Sequence, residues 1–218
     1  VVGVYTAADL GVESVGLPNA WPITPEQKTP QRPLLAATTV HFAGEGVAVV
    51  VARSAGEARD AAELVDVDYE PLEPVLDMEA ALADGATLVH PDLGTNESAT
   101  WVFDSGEAGT GGNVADAISA AESDPDSVVV RRRFIQQRLI PAFMEPRSAV
   151  VDPTGEQITF YSATQIPHIL RTMTSVTLGV PESKLRVVAP DVGGGFGGKI
   201  GVVPEEMLCV ALALKLGK

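Results

Sequence analysis

Asp191-Val192-Gly193-Gly194-Gly195-Phe196-Gly197-Gly198-Lys199 is the stretch on which the reading of this chain turns. Five glycines surround one aromatic residue. A short apolar strand pattern, Leu185 to Ala189, precedes them, and Pro204 opens a helical pattern after them. Glycines bring no side chain to a core. They permit positive φ and let another group approach the main chain closely. The stretch therefore reads as a loop that holds a ligand against its amides. The plain alternative is a tight structural turn between a strand and a helix.

Two nucleotide patterns overlap the loop. Gly193, Gly195 and Gly198 match G-x-G-x-x-G after a strand. A dinucleotide fold also needs the helix to begin within the pattern and an acid about 20 residues further on. Here the helical pattern starts late, and residues 212–218 hold no acid. Gly193 to Lys199 match G-x-x-x-x-G-K, but Ile200 stands where a hydroxyl should meet Mg²⁺. A nucleotide-binding module built on this loop is thus the weaker reading.

The rest of the chain narrows the class. Its 218 residues suffice for one large or two small domains, and 45% of them are hydrophobic. The formal net charge is −14, and the longest basic cluster is Arg131-Arg132-Arg133, which disfavours a nucleic-acid groove. A single cysteine, Cys209, excludes an internal disulfide framework and any Cys-rich metal or iron–sulfur site in these residues. It fits a reducing compartment, so a cytoplasmic location is expected. No apolar run reaches the ~20 residues of a membrane span. The chain opens within a strand pattern, Val1 to Tyr5, and stops at Leu216-Gly217-Lys218 directly after a helix. Both ends read as interior, so a piece of a longer chain is expected.

In order, the pattern predicts a strand over Val1 to Tyr5 and an irregular loop over 16–33, where five prolines remove amide donors. A buried strand follows at Val47 to Val51. Ser54 and Glu57 have capping-box spacing before an alanine-rich helix. The period then changes to two at Val65, Val67 and Tyr69, the pattern of a second strand. A short helix is expected over Asp77 to Leu82. Residues 85–127, with Gly106, Gly109, Gly111 and Gly112, read as a linker carrying a helix near Val114 to Ala121. Strands are expected at Val128 to Leu139, Glu145 to Val151, Gln157 to Ala163 and Leu185 to Ala189. A helix should begin at Pro167 and stop at Gly179, and another should run from Pro204 to Leu216. The fold class is α+β, divided into residues 1–84, a linker 85–127, and residues 128–218.

Three segments in order carry a family resemblance: Met144-Glu145-Pro146-Arg147, Thr164-Gln165-Ile166-Pro167-His168-Ile169-Leu170-Arg171, and the glycine loop. Together they resemble the xanthine oxidase family of molybdenum hydroxylases, nearest the large subunit of aerobic carbon monoxide dehydrogenases. Residues 35–82 resemble the α/β hammerhead domain that precedes the molybdopterin-binding domain there. The resemblance implies a hammerhead-like domain followed by the first part of a molybdopterin-binding domain.

The resemblance also implies roles. Gln165 matches the glutamine whose amide reaches an oxo ligand of the molybdenum. Phe196 and Gly197 match residues whose backbone lies against the metal ligands and the pterin dithiolene, with Gly194 and Gly195 completing the cofactor-binding set. None of these binds the metal directly, although Gln165 and Phe196 lie beside its ligands. The implied cofactor is molybdenum–molybdopterin cytosine dinucleotide. Iron–sulfur and FAD subunits would be partners in a dimer of heterotrimers, acting on a small-molecule substrate. The implied reaction oxidises carbon monoxide, or hydroxylates an aldehyde or N-heterocycle with oxygen from water. Ile200 replaces the glutamate that orients purines in xanthine-oxidising members. The family's general base and copper-binding cysteine fall outside the matched residues, so no catalytic residue is expected here, and this stretch alone should be inactive, a structural piece of the enzyme. Cys209 reads as a buried thiol. Glu205 and Glu206 read as helix-start acids, and His41, His90 and His168, far apart in sequence, as non-ligands.

Overall fold

A computed structural model describes residues 1–19, 21–102 and 112–218. Two compact units emerge: one holds residues 1–21, 29–96 and 140–218, the other residues 22–28 and 97–139.

In the larger unit, β1 (Gly3–Tyr5) pairs antiparallel with β4 (Val49–Val51), Val4 opposite Val50. β-Branched Val49 to Val51 suit a pleated ladder. Between them lies α1 (Ala7–Leu10), started by a reciprocal Thr6–Asp9 capping box and stopped at Gly11. The proline-rich stretch expected to be irregular contains a two-residue ladder, β2 (Gly16–Leu17) with β3 (Arg32–Pro33). Pro33 tolerates an edge position because its missing N–H is not needed there. α2 (Ala55–Ala62) packs on β4. Ser54 Oγ accepts from Glu57 N–H at 3.2 Å, but the Glu57 carboxylate reaches Arg53 N–H rather than Ser54, so half of the expected box forms.

The expected strand at Val65 to Tyr69 is absent. Val67 and Tyr69 are exposed, and no described strand pairs with this segment. Alternation alone does not make a strand; it needs a hydrogen-bonding neighbour and a covered face. The expected short helix is a 3₁₀ turn at Ala80–Leu82.

The sheet that positions the loop has the order β5 (Ala149–Asp152), β6 (Ile158–Ser162), β7 (Leu185–Val188). β5 and β6 are antiparallel, with Val151 opposite Phe160. β6 and β7 are parallel, with Phe160 opposite Val187. A parallel pair needs a crossover, supplied by α4 (Pro167–Leu178), which starts on proline and stops at Gly179 with φ +69°. This topology fixes the site. The chain leaving β6, the chain leaving β7 and the chain entering β5 all lie at one end of the sheet. α5 (Pro204–Leu216) follows and packs on β5 and α4.

Phe160, Leu170, Met207 and Val210 are fully buried in a core shared with Ala7, Leu17, Leu34 and Leu35. Each such side chain stabilises by about 1.5–3 kcal/mol relative to exposure. Ala7, Leu17, Leu34 and Leu35 thus help to build the core against which α5 rests.

In the smaller unit, α3 (Val114–Ser123) is capped by Asn113, whose side chain accepts from Ala115 N–H at 2.8 Å. Lys28 and Ser98 exchange two hydrogen bonds of 2.8 Å. Val128 to Leu139 forms no ladder, contrary to expectation; Val128, Val130 and Phe134 are exposed, and no second described strand meets them. Arg131 pairs with Glu122. Gly106, Gly109 and Gly111 of the expected linker lie outside the described residues.

Candidate functional site

The glycine loop leaves the carboxyl end of β7 beside the segment that leaves β6. Main-chain N–H of Gln165 donates to the Lys199 carbonyl at 3.1 Å, and Lys199 N–H donates to Gln165 Oε1 at 3.1 Å. Thr164 Oγ accepts from Ile166 N–H at 3.1 Å, fixing the turn into α4. With Oε1 taken, Gln165 keeps its Nε2 donors, which meet no acceptor among the described residues. Gly195 is the reason the side chain can lie there. A Cβ at Gly195 would sit 2.3 Å from Gln165 Oε1.

The other glycines divide by cause. A Cβ at Gly193 would meet Glu145 Cβ at 2.6 Å, and one at Gly198 would meet Phe143 Cε1 at 2.8 Å. These two make room for the segment entering β5. Gly194 and Gly197 have φ of +91° and +81°, where a Cβ is strained. Phe196 has φ +47°, the single non-glycine with positive φ among the described residues, and the residue is 76% exposed. A non-glycine held there costs about 1–3 kcal/mol, and such strain clusters at binding sites.

Inside the loop, Gly194 N–H reaches Val192 O at 2.9 Å, Gly198 N–H reaches Gly195 O at 2.6 Å, and Ile200 N–H reaches Gly197 O at 3.2 Å. The amides of Gly195, Phe196 and Gly197 meet no acceptor among the described residues. Three successive free amides, with φ positive at both Phe196 and Gly197, leave main-chain donors open to an anion in a turn. Gln165 Nε2 adds donors without adding charge. The structure therefore brings together all five residues singled out in the sequence: Gln165, Gly194, Gly195, Phe196 and Gly197. A Cβ at Gly195 would displace the Gln165 carboxamide from this set of donors, while Gly197 faces open space, so the residues present suit an acceptor-rich anionic group such as a pterin phosphate or dithiolene.

Lys199 is not a phosphate lysine. Its side chain is fully buried, and Nζ donates to Glu145 Oε2 at 2.8 Å, 4.7 Å from the Phe143 ring centre. The same Oε2 accepts from Gly193 N–H at 2.6 Å. These bonds, to Lys199 first and Gly193 second, hold the Glu145 carboxyl below its usual value. Arg147 donates to the Gly198 carbonyl. In the sequence Glu145 and Arg147 stand out only as members of the resembling segment 144–147. The alternation Phe143, Glu145, Arg147 was the available signal for side chains meeting one neighbour.

The remaining candidates fall elsewhere. Glu206 is buried, accepts from Ser162 Oγ at 2.6 Å and from Val203 N–H at 3.1 Å, and caps α5. Glu205 stands in the first turn of α5. Burial, then Glu206 and Glu205, pushes the Cys209 thiol up, which keeps it protonated and unreactive. His168 is exposed on α4 and lines a groove of about 280 Å³ with Trp21, Ile169, Thr172 and Met173, away from the loop residues. His41 and His90, distant in sequence, are stacked with ring centres 4.4 Å apart. Burial and the neighbouring His41 hold His90 below its usual value. No group of three or more His, Cys, Asp or Glu able to hold a metal occurs among the described residues, and no helix among them is long and apolar enough to cross a membrane.

Comparison with known proteins identifies the family of the chain. Residues 90–218 match the molybdopterin cofactor-binding domain, and residues 1–73 match the aldehyde oxidase and xanthine dehydrogenase a/b hammerhead domain. The carbon monoxide dehydrogenase large chain of Hydrogenophaga pseudoflava is 35% identical over 196 residues, 85% of this chain and 24% of that protein. The nicotine 6-hydroxylase large subunit of Paenarthrobacter nicotinovorans is 38% identical over 181 residues, 81% of this chain and 20% of that protein. The crystal structure of quinoline 2-oxidoreductase from Pseudomonas putida 86 superposes with a TM-score of 0.81 at 35% identity, covering 99% of this chain and 26% of that one. The chain thus spans about a quarter of the length of the relatives it matches. It belongs to the molybdopterin cofactor-binding family of the xanthine oxidase and carbon monoxide dehydrogenase type, as an α+β chain in which a hammerhead domain precedes the cofactor-binding domain.

Proposed function

We propose that this chain is part of the molybdenum-binding subunit of an oxidoreductase, and that its glycine loop is one wall of the cofactor site. The observation that carries the reading is the set of three free amides at Gly195, Phe196 and Gly197 beside the Gln165 amide. When bound, a molybdenum–pterin group supplies two-electron oxidation in which water is the source of oxygen. The amides of residues 195–197, with Gly194 turning the chain toward them, would hold its anionic parts. Gln165 Nε2 would donate to a polar ligand beside them without altering the charge of the site. Phe196 supplies an exposed apolar face next to these donors, able to exclude water from a small substrate.

The substrate class is carbon monoxide, an aldehyde or an N-heterocycle. Ile200, which offers no side-chain hydrogen bond, speaks against purines. The cofactor is the cytosine dinucleotide form of molybdopterin. Electrons leave through an iron–sulfur subunit and an FAD subunit in a cytoplasmic dimer of heterotrimers. The hammerhead-like part ends near residue 84, and residues 85–127, most of which fall inside the cofactor-binding domain's match, serve as a linker into the part that begins at 128. Lys199, buried on Glu145, leaves the loop without the free ammonium a nucleotide triphosphate site uses.

The test is dye-linked oxidation. The full-length subunit, purified with its partners, is expected to oxidise at least one of these substrates, whereas residues 1–218 alone are expected to be inactive. Turnover by residues 1–218 alone, or none of these activities in a pterin-loaded complex, would contradict the reading.

A further inference from the structure

One oxygen holds both ends of the glycine loop. Glu145 Oε2 accepts from Gly193 N–H at 2.6 Å and from Lys199 Nζ at 2.8 Å. Gly193 and Lys199 bracket the free amides in sequence, so the chain between them has to bulge. Lys199 Nζ has no other carboxylate partner among the described residues, and its side chain is fully buried over the Phe143 ring. A buried ammonium without a carboxylate would be strongly disfavoured. The backbone has been fitted to this carboxylate: a Cβ at Gly193 would collide with Glu145 Cβ at 2.6 Å. Two neighbours at alternate positions close on the same loop. Phe143 packs where a Gly198 Cβ would be, and Arg147 donates to the Gly198 carbonyl.

We infer that Glu145 is a positioning residue for the glycine loop: one carboxylate oxygen ties Gly193 to Lys199 and so holds the amides of Gly195, Phe196 and Gly197 ready for a ligand. The inference rests on the cofactor-site reading for what the ligand is, but not for the tie itself. Among the described residues Glu145 makes no hydrogen bond to the free amides or to Gln165. It acts through the two ends of the loop. The charged groups about it are Lys199, its direct partner, and Arg147, whose guanidinium lies 5.9 Å from the same Phe143 ring.

Glu145→Gln in the full-length chain keeps the size of the side chain but removes its charge. The readout is amide hydrogen exchange, resolved for residues 193–199 and, as an internal reference, for β6 at Ile158–Ser162. Loss of a charge-assisted bond should speed exchange at Gly193, Gly198 and Lys199 by about tenfold or more, with β6 unchanged. Lys199→Met, which removes only the ammonium, should show the same confined pattern. Pterin retained through gel filtration is measured on the same samples and should fall in both variants. Unchanged loop exchange in Glu145→Gln overturns the inference. So does a loss of protection that spreads equally to β6 in both variants, which marks an ion pair serving the fold as a whole. If the parent chain holds no pterin, the cofactor reading fails, while the exchange difference still decides the role of Glu145.

Discussion

Gln165 and Lys199 are joined twice, N–H to carbonyl at 3.1 Å and side-chain Oε1 to N–H at 3.1 Å. This double tie fixes which end of the Gln165 amide is left over. Its oxygen is committed, so the face it offers is a pair of N–H donors. Beside the three free amides of the glycine loop, the Gln165 carboxamide therefore adds a fourth donor group. A site of this kind selects a ligand rich in acceptors and negative charge.

Gly195→Ala tests the tie from the loop side. The new Cβ, 2.3 Å from Gln165 Oε1, displaces the carboxamide. Stability is expected to fall by about 1–3 kcal/mol, read by thermal or urea unfolding. Gln165→Ala combined with Gly195→Ala should cost less than the two single changes added together, because the clash is gone. Strict additivity would contradict the contact.

Phe196→Gly tests whether strain in the loop is kept for function. Phe196 at φ +47° is exposed, so little packing is lost on its removal. Stability is expected to rise by about 1 kcal/mol, while cofactor retention or turnover falls. A variant less stable than the parent would show that the ring holds the loop together.

Two buried polar groups should respond in opposite directions. Glu206→Ala strands Ser162 Oγ and Val203 N–H and is expected to cost about 1–3 kcal/mol. Thr177 Oγ1 is buried without a partner among the described residues. Thr177→Val removes that group and is expected to be neutral or stabilising by about 1 kcal/mol. Equilibrium unfolding of the two variants checks both signs.

Acid stability should carry the signature of Glu145. Its folded value lies below the ordinary 4.5, through Lys199 and then Gly193. The unfolded chain thus takes up the proton first, and the contribution is fully present above about pH 4.5, then lost as pH falls through the lowered folded value. Melting temperature followed from pH 6 down to pH 3 should fall less steeply in Glu145→Gln than in the parent. Parallel curves would contradict the ion pair.

Much of the scaffold was legible because its signals are local. Pro167 and Gly179 bracket α4, and Pro204 with Gly217 bracket α5, since start and stop chemistry is written in single residues. The strand at 158–162 follows from alternation and that at 185–188 from a short apolar run, whereas the strand expected from Glu145 begins only at Ala149; all three have a real neighbour to pair with. The strands expected at 65–69 and 128–139 show the limit of alternation, because pairing is a property of two segments. The short β2–β3 ladder was hidden for the converse reason: Leu17 and Arg32 find each other across a proline-rich loop. At the site, glycine density marked the loop, but the causes were not separable. That Gly193 and Gly198 admit Glu145 and Phe143, and Gly195 admits Gln165, depends on three segments meeting at one end of a sheet. The same holds for His41 and His90, stacked although 49 positions apart in the numbering.

The central claim is that the loop at residues 193–199 holds a molybdenum–pterin group. The most direct measurement is the molybdenum and pterin content of the purified full-length chain beside its Gln165→Ala and Gly195→Ala variants. The account expects about one molybdenum and one pterin dinucleotide per folded parent chain, with content reduced in both variants. A folded parent chain free of pterin and molybdenum after expression in a molybdenum-replete host, or variants that retain full content, would contradict it.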